Sequence, residues 1–405
     1  MSRPTNNPWL HRFAVLTALA TLGLIGIGGL VTSHESGMSV PDWPTSYGYN
    51  MFALPFKFWT GGVFYEHTHR LWASTVGLMV VILARWLGGK KSRWPLGFIG
   101  LLEIFTGFLI NWIRPDLKGT GYFLTGIGSV VLMAAFVWIR NEPASRTLVS
   151  LGWLAFALVQ FQGLLGGLRV VLFKDQIGVV HAALAQLFFV LLCGIALLTS
   201  TRWEQLIKTS RGFFSPLLRS MVFGATILIF VQLLLGATMR HQHAGLAISD
   251  FPLAHGKLWP DTSAEAVSSY NRQRAEISAI NPITAFQIQL QMAHRIMAIL
   301  ILSAVAVCAW IAHRAGFPIR RLSFFWLGLI LLQACLGAAT VLWDKPADIA
   351  TAHVLVGALS LATGAVLCII SAGNPKTSVR EMRVLTDDKE NLRDQMSVAA
   401  RTVAP

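Results

Sequence analysis

The stretch Glu66-His67-Thr68-His69-Arg70-Leu71 has a near copy at Gln291-Met292-Ala293-His294-Arg295-Ile296. Each copy opens a long apolar segment. Each is also preceded by a second shared motif, because Gly37-Met38-Ser39-Val40-Pro41-Asp42-Trp43-Pro44 reappears as Gly245-Leu246-Ala247-Ile248-Ser249-Asp250-Phe251-Pro252. Motifs that recur in the same order indicate an internal duplication of the chain.

The composition places this duplication in a membrane. The chain has 405 residues, of which 54% are hydrophobic and 13% charged, whereas soluble domains carry about 25% charged residues. A spanning helix needs about 20 apolar residues, and continuous runs of that length favour helices over a barrel. About ten such runs are present: 13–31, 68–87, 95–113, 122–139, 148–171, 180–200, 217–239, 287–311, 322–342 and 352–371.

The net charge of +14 fits a membrane orientation rather than nucleic-acid binding. Basic residues cluster in the short loops on one side of the predicted helices, which the positive-inside rule makes cytoplasmic. We therefore expect both termini in the cytoplasm and a first helix that is retained rather than cleaved. The clustered residues are Lys90, Lys91, Arg93, Arg140, Arg146, Arg202, Lys208, Arg211, His313, Arg314, Arg320 and Arg321.

A third pair of motifs completes the repeat. The run Gln162-Gly163-Leu164-Leu165-Gly166-Gly167 corresponds to Gln333-Ala334-Cys335-Leu336-Gly337-Ala338, and each run precedes a segment that opens on His181 or His353. Both halves start inside, which predicts parallel repeats. The predicted fold is an all-α polytopic membrane protein with two parallel four-helix-bundle repeats, an inserted helix pair and about ten transmembrane helices.

This reading divides the chain into five parts. The two repeats are separated and extended by segments without equivalents. Residues 1–92 begin the N-terminal repeat, residues 93–141 form the inserted transmembrane pair, residues 142–212 complete the N-terminal repeat, residues 213–373 form the C-terminal repeat, and residues 374–405 form a polar cytoplasmic tail. We expect Glu103 of the inserted pair to face a neighbouring helix.

Four histidines, His69, His181, His294 and His353, lie at repeat-equivalent positions near the starts of helices that enter from the outer side. Imidazole binds haem iron, and facing helices of a bundle are the usual scaffold. We therefore predict one haem per half, held by two histidines. Zinc or copper is the alternative, although two histidines without cysteine or carboxylate partners are few ligands for either metal.

Two further features surround these histidines. Arg70 and Arg295 fit either as partners of haem propionates or as interfacial anchors. Three residues before His69 stands Glu66, where the second half has Gln291, and residues three apart share a helix face. An enzyme with a substrate haem in one half and a cofactor haem in the other would need that asymmetry. The alternative is a surface carboxylate at a solvated loop end.

At these residues the chain resembles the haem A synthase family. The resemblance implies that haem O is the substrate and that its C8 methyl is oxidised through hydroxylated intermediates to a formyl group, giving haem A for terminal oxidases. It implies a haem b cofactor on His294 and His353, the substrate haem on His69 and His181, and Glu66 as the catalytic carboxylate. Haem O synthase and an electron-transfer partner in a bacterial inner membrane would follow, with homo-oligomerisation left open.

The chain departs from the family pattern twice. It has no cysteine pair between Thr32 and Tyr65, which puts a thiol-based electron relay in doubt, and it has ten predicted helices where the family usually has eight. Two other functions fit the same residues. One is a di-haem b-type cytochrome that transfers electrons from quinol; the other is a transporter with histidines in a proton path.

Overall fold

The computed structural model describes residues 7–373 except 138, 140, 173, 211–212 and 278–281. The predicted tail, residues 374–405, lies outside the described residues. The described part of the chain folds into α-helices joined by loops. These are α1 Pro8–Ser33, α2 Gly61–Gly88, α3 Arg93–Ile113, α4 Lys118–Ala135, α5 Arg146–Leu172, α6 Asp175–Leu198, α7 Trp203–Ser210, α8 Pro216–His241, α9 Ala264–Ile277, α10 Ala285–Ala312, α11 Phe317–Leu342 and α12 Ala347–Ala372.

The long helices match the predicted membrane segments. Nine stretches of the described residues are long and apolar enough to cross a bilayer. One of them, Gly61–Ile113, is 53 residues long and holds both α2 and α3. A single spanning helix needs only about 20 residues, so this stretch accounts for two crossings. The all-α polytopic membrane fold is therefore confirmed, and only α7 and α9 are too short to span.

Each half of the protein is a closed ring of four helices. In the first half, α1 packs on α2, α2 on α5, α5 on α6, and α6 back on α1. In the second half, α8 packs on α10, α10 on α11, α11 on α12, and α12 back on α8. The two rings meet where α12 and α8 contact α6, and where α12 contacts α1. This arrangement supports the predicted pairing of four segments per repeat.

The inserted pair, α3 and α4, is held together by glycines. Gly100 and Gly107 on α3 face Gly128 and Gly121 on α4 so closely that a methyl group on Gly100 would approach the Gly128 carbonyl oxygen to 2.7 Å. The pair is joined to the first ring by a hydrogen bond of 2.6 Å from Gln160 Nε2 on α5 to a Glu103 carboxylate oxygen. Glu103 therefore faces a neighbouring helix, as expected.

Long loops join α1 to α2 and α8 to α10 at one end of the rings. We call residues 34–60 the first loop, residues 242–284 the second loop, and this end of the molecule the loop end. The same turn occurs in both loops. Asp42 accepts hydrogen bonds from the Tyr47 and Gly48 amides at 2.7 and 2.8 Å.

The second copy of the turn reproduces these contacts. Asp250 accepts hydrogen bonds from the His255 and Gly256 amides, both at 2.8 Å. Gly48 and Gly256 have φ of +76° and +74°, a backbone conformation in which a side chain is strained. The repeat therefore extends four residues beyond the Pro44 and Pro252 motif found in the sequence.

We expect the Asp250 turn of the second loop to keep its hydrogen bonds from about pH 8 to pH 5 and to lose them only in stronger acid. Burial raises the pKa of Asp250, but the Gly256 and His255 amides lower the pKa further, so the folded pKa lies below the usual value. A carboxylate with a depressed folded pKa stabilises the fold above its unfolded pKa, and that stability is lost as the pH falls through the folded value.

Hydrogen exchange of the loop amides, corrected for intrinsic rates, measures this directly. Asp250→Ala should remove the protection of residues 253–258 at neutral pH. The matched control is Asp261→Ala, because Asp261 accepts a bond from the Ser263 amide elsewhere in the same loop. Loss of wild-type protection already between pH 7 and 6 would show that another group controls the loop.

Candidate functional site

The second ring brings two histidines together. His294 lies on α10 and His353 on α12, and their ring centroids are 6.5 Å apart at an interplanar angle of 56°. Two imidazoles that bind one iron from opposite sides have centroids roughly 6 Å apart, because each metal–nitrogen bond is about 2 Å long. The spacing therefore fits a single metal between the two rings.

The first ring holds the equivalent pair. His69 lies on α2 and His181 on α6, which are opposite members of the ring. The Nδ1 atoms of His69, His181, His294 and His353 are all buried without a hydrogen-bond partner among the described residues. Each half thus contains two buried imidazoles on opposite helices of its ring.

The ligand set suits a macrocycle better than an isolated metal ion. The described residues contain no cluster of three or more histidine, cysteine or acidic side chains that could hold a metal ion. Zinc and copper sites normally draw three or four ligands from the protein. Haem iron takes four nitrogens from its own ring and needs only the two axial positions filled. Two histidines per half fit that requirement.

A glycine on the preceding helix of the ring faces each of these histidines. Its missing side chain lets the imidazole lie directly on helix backbone. A methyl group added to the glycine would approach the histidine Cε1 to 3.0 Å for Gly28 and His69, 3.7 Å for Gly166 and His181, 3.4 Å for Gly236 and His294, and 3.1 Å for Gly337 and His353. Two of these glycines could have been found from the sequence repeat, because Gly28 and Gly236 stand at the same distance before the repeated loop motif.

Other glycines of the Gln162–Gly167 run have different neighbours. Whereas Gly166 faces the His181 imidazole, Gly163 faces the Phe123 ring and Gly167 lies against Trp43. Trp43 also packs on Phe123 of α4, with ring centroids 4.3 Å apart. The inserted pair therefore contacts the first loop above the first ring.

Enlarging Gly337 should disturb the ligand it supports. We expect Gly337→Val to weaken retention of a metal macrocycle in the second ring roughly 5- to 150-fold, the range for about 1–3 kcal/mol of overpacking. The measurement is pigment content per chain after purification in detergent. Gly328→Val on the same helix is the control, because a methyl group there meets no atom within 4 Å. Equal pigment in both variants would show that the glycine contact is unimportant.

Glu66 is buried at the loop end of α2, with 4% of its surface exposed. One carboxylate oxygen accepts the Val40 amide at 2.9 Å, and the other accepts Arg70 Nη2 at 2.6 Å. Glu66 therefore does not lie at a solvated loop end, the alternative raised by the sequence. It ties the first loop to the helix that carries His69.

Gln291 makes the matching contact in the second half. Its Oε1 accepts the Ile248 amide at 2.7 Å and its Nε2 donates to the Ile248 carbonyl at 3.0 Å. In the first half, Arg70 Nη2 donates to the Val40 carbonyl at 3.0 Å in place of that amide. In the second half Gln291 alone binds both the amide and the carbonyl of one loop residue, whereas in the first half Glu66 binds the amide and Arg70 binds the carbonyl. The carboxylate is thus not required for anchoring a loop of this shape.

Arg70 and Arg295, the two residues predicted to contact haem propionates, donate hydrogen bonds to the loops. Arg70 also donates to the carbonyls of Asp42 and Thr45 at 2.7 and 2.9 Å. Arg295 donates to the carbonyls of Asp250 and Leu253 at 2.7 and 2.8 Å. Both guanidinium groups therefore hold loop backbone over the rings, and their contact with propionates stays a prediction.

Two other arginines lie at the loop end of the rings. The Arg169 guanidinium on α5 lies against Gly37 of the first loop, where an added methyl group would approach its Nη2 to 3.0 Å. Arg240 Nη2 on α8 donates to the Gly29 carbonyl at 2.7 Å and to the Ser33 hydroxyl. Sequence reasoning missed both residues. In the sequence, each of them is marked only by being a single basic residue near the outer end of a predicted helix.

The fold and these pairs define a class of protein: a polytopic membrane protein with a duplicated four-helix bundle and one buried histidine pair in each copy. The sequence model of the COX15-CtaA family, the cytochrome oxidase assembly proteins, matches residues 122–364. The chain belongs to this family, which confirms the resemblance found in the sequence.

Curated relatives cover most of the chain. The haem A synthase of Shewanella oneidensis is 25% identical over 88% of this chain and 93% of its own length. The haem A synthase of Parvibaculum lavamentivorans is 28% identical over 85% of this chain and 88% of its own length. Human haem A synthase COX15 is 24% identical over 87% of this chain and 80% of its own length.

Proposed function

We propose that this protein is a haem A synthase, an oxidoreductase that converts the C8 methyl of haem O to a formyl group for use in terminal oxidases. The family match and the names of the relatives support this activity. The observation that carries it is the asymmetry of the two rings. Both have a buried histidine pair, yet only the first has a carboxylate, Glu66, one turn before its first histidine.

In this proposal the two rings have different tasks. His69 and His181 hold the substrate haem, and His294 and His353 hold haem b as the resident cofactor. Haem b supplies one-electron redox chemistry when bound. The separation of His294 and His353 fits bis-imidazole ligation of that cofactor. The loops anchored by Arg70 and Arg295 cover both sites and limit the access of water.

Glu66 is the group placed to accept a proton from the substrate or to stabilise positive charge that develops on it. Its position is fixed by the Val40 amide and by Arg70. A carboxylate held by charge-assisted hydrogen bonds does not need to reorganise during the reaction. Residues three apart share a helix face, so Glu66 and His69 are directed to the same side of α2.

The same proposal gives the setting of the enzyme. The protein lies in the bacterial inner membrane with both termini in the cytoplasm, because the basic short loops are on that side. Haem O synthase would supply the substrate, and an electron-transfer partner in the membrane would exchange electrons with the protein.

Extraction of the bound pigments tests the activity. The protein is purified after expression with and without a source of haem O, and the haems are separated by chromatography. A haem A synthase yields haem B together with haem O, its hydroxylated intermediate or haem A. Haem B alone, with electron transfer from quinol intact, would instead identify a di-haem cytochrome. A protein without haem would favour the transporter.

A further inference from the structure

Two of the histidines make two contacts with the preceding helix of their ring, a hydrogen bond from a glutamine and the packing of the imidazole on a glycine. Gln162 Nε2 donates to the backbone carbonyl of His181 at 3.2 Å, and Gln232 Nε2 donates to that of His294 at 3.0 Å. Each glutamine lies four residues before the glycine that faces the same imidazole. Residues four apart share a helix face, so glutamine and glycine act on one histidine together.

The third glutamine has the same place in the sequence but a different neighbour. Gln333 precedes Gly337 by four residues, and Gly337 faces His353. The Gln333 amide lies against α12 one turn beyond His353, where a methyl group on Gly357 would approach its Nε2 to 3.1 Å. In the described part of the chain, His353 therefore has the facing glycine without the glutamine bond that His181 and His294 accept.

His69 has no glutamine four residues before its facing glycine. The glycine that faces it is Gly28, and the residue four positions earlier is Leu24, which packs in the apolar core and has no group that can donate a hydrogen bond. In the second half the residue at this place is Gln232. Helices α1 and α2 are instead joined one turn away, where Trp72 Nε1 donates to the Ala20 carbonyl at 2.8 Å.

We infer that His69 is the exchangeable ligand of the substrate haem, and that Gln162 and Gln232 are positioning residues that keep His181 and His294 in place. This inference rests on the proposed function. In the exchange, the iron–imidazole bond breaks, the imidazole keeps its electron pair, and a small ligand that brings its own pair takes the vacated position. The open face of the substrate then lies on the α2 side, the side to which Glu66 is directed.

Carbon monoxide binding to the reduced protein measures this exchange, because it requires loss of one imidazole. The glutamine is installed in the first half by Leu24→Gln and removed from the second half by Gln232→Leu. A net hydrogen-bond contribution of about 1 kcal/mol corresponds to a change of roughly fivefold in the exchange rate. Leu19→Gln is the control, because Leu19 is exposed on α1 and a glutamine there faces away from the ring.

The expected results differ between the two halves. Protein purified without a haem O source should bind carbon monoxide roughly fivefold faster as Gln232→Leu than as wild type. Protein loaded with haem O should bind carbon monoxide at the added haem, roughly fivefold more slowly in Leu24→Gln and unchanged in Leu19→Gln. Gln162→Leu should raise the rate at the same haem by releasing His181.

Equal rates in wild type and Leu24→Gln, with haem O loaded, would overturn the inference while leaving the proposed function intact. So would equal rates at the resident haem in wild type and Gln232→Leu. Failure of the proposed function has a different signature, since the protein would then retain no haem O during loading. Haem content is therefore determined on every preparation before the rates are compared.

Discussion

Glu66→Gln is expected to retain its haems and to lose formyl production by at least roughly 100-fold, the lower end of what a positioned proton acceptor contributes. The loop should survive the change. Gln291 shows that a glutamine amide accepts a loop N–H at this position of the repeat. Arg70 also keeps the carbonyls of Val40, Asp42 and Thr45 as acceptors. The variant therefore removes charge and proton acceptance without removing the anchor.

Chromatography of the extracted haems, together with the haem-to-protein ratio, measures this result. Glu142→Gln is the matched control. Glu142 is an exposed carboxylate that pairs with Lys90, with Nζ and Oε1 2.8 Å apart, just beyond the C-terminal end of α2 and at the opposite end of that helix from Glu66. It should behave as wild type. Glu66→Asp keeps the charge and should retain part of the activity. Normal haem A formation in Glu66→Gln would leave Glu66 with a purely structural role.

His353→Ala is expected to lose about one haem per chain and all formyl production, because a single imidazole then remains for the resident haem. His69→Ala should instead lose the added haem O and keep the resident haem. The spacing of His294 and His353 is the basis of this difference, since 6.5 Å between ring centroids suits one shared iron. Pigment content with and without haem O loading separates the two outcomes.

Two further variants keep the ligand experiment interpretable. His353→Met provides a thioether ligand, so the haem should be retained with a raised reduction potential. His313→Ala is the control, because His313 is an exposed histidine at the other end of α10 that contacts the Trp310 carbonyl. Full haem content in His353→Ala, with a normal potential, would remove His353 from the ligand set.

The sequence predicted the parts of the fold that depend on local composition. A run of about 20 apolar residues has one stable arrangement in a bilayer, which is a helix, so the ten long helices could be located before any contact was known. The duplication was equally visible, because repeated motifs keep their order. The site histidines followed from the duplication. Chance would not place His69 and His294, or His181 and His353, at matching positions.

What surrounds those histidines was decided by tertiary structure. Whether Gln232 reaches the His294 carbonyl, or Trp43 lies on Gly167, depends on how each helix is rotated and how closely it approaches the next. Sequence periodicity does not contain those quantities. Arg70 illustrates the consequence. Its adjacency to His69 suggested a propionate partner, whereas the folded first loop supplies three carbonyl acceptors and Glu66 on α2 supplies a fourth oxygen.

The sequence by itself thus determined that this is a duplicated helical membrane protein with two pairs of histidines and one unmatched carboxylate. Only the tertiary structure decided which groups hold Glu66 and which histidines accept a hydrogen bond from a glutamine. The physical reason is range: hydrophobic length and repeat order are properties of neighbouring residues, whereas a hydrogen bond between helices requires two distant segments to meet within about 3 Å.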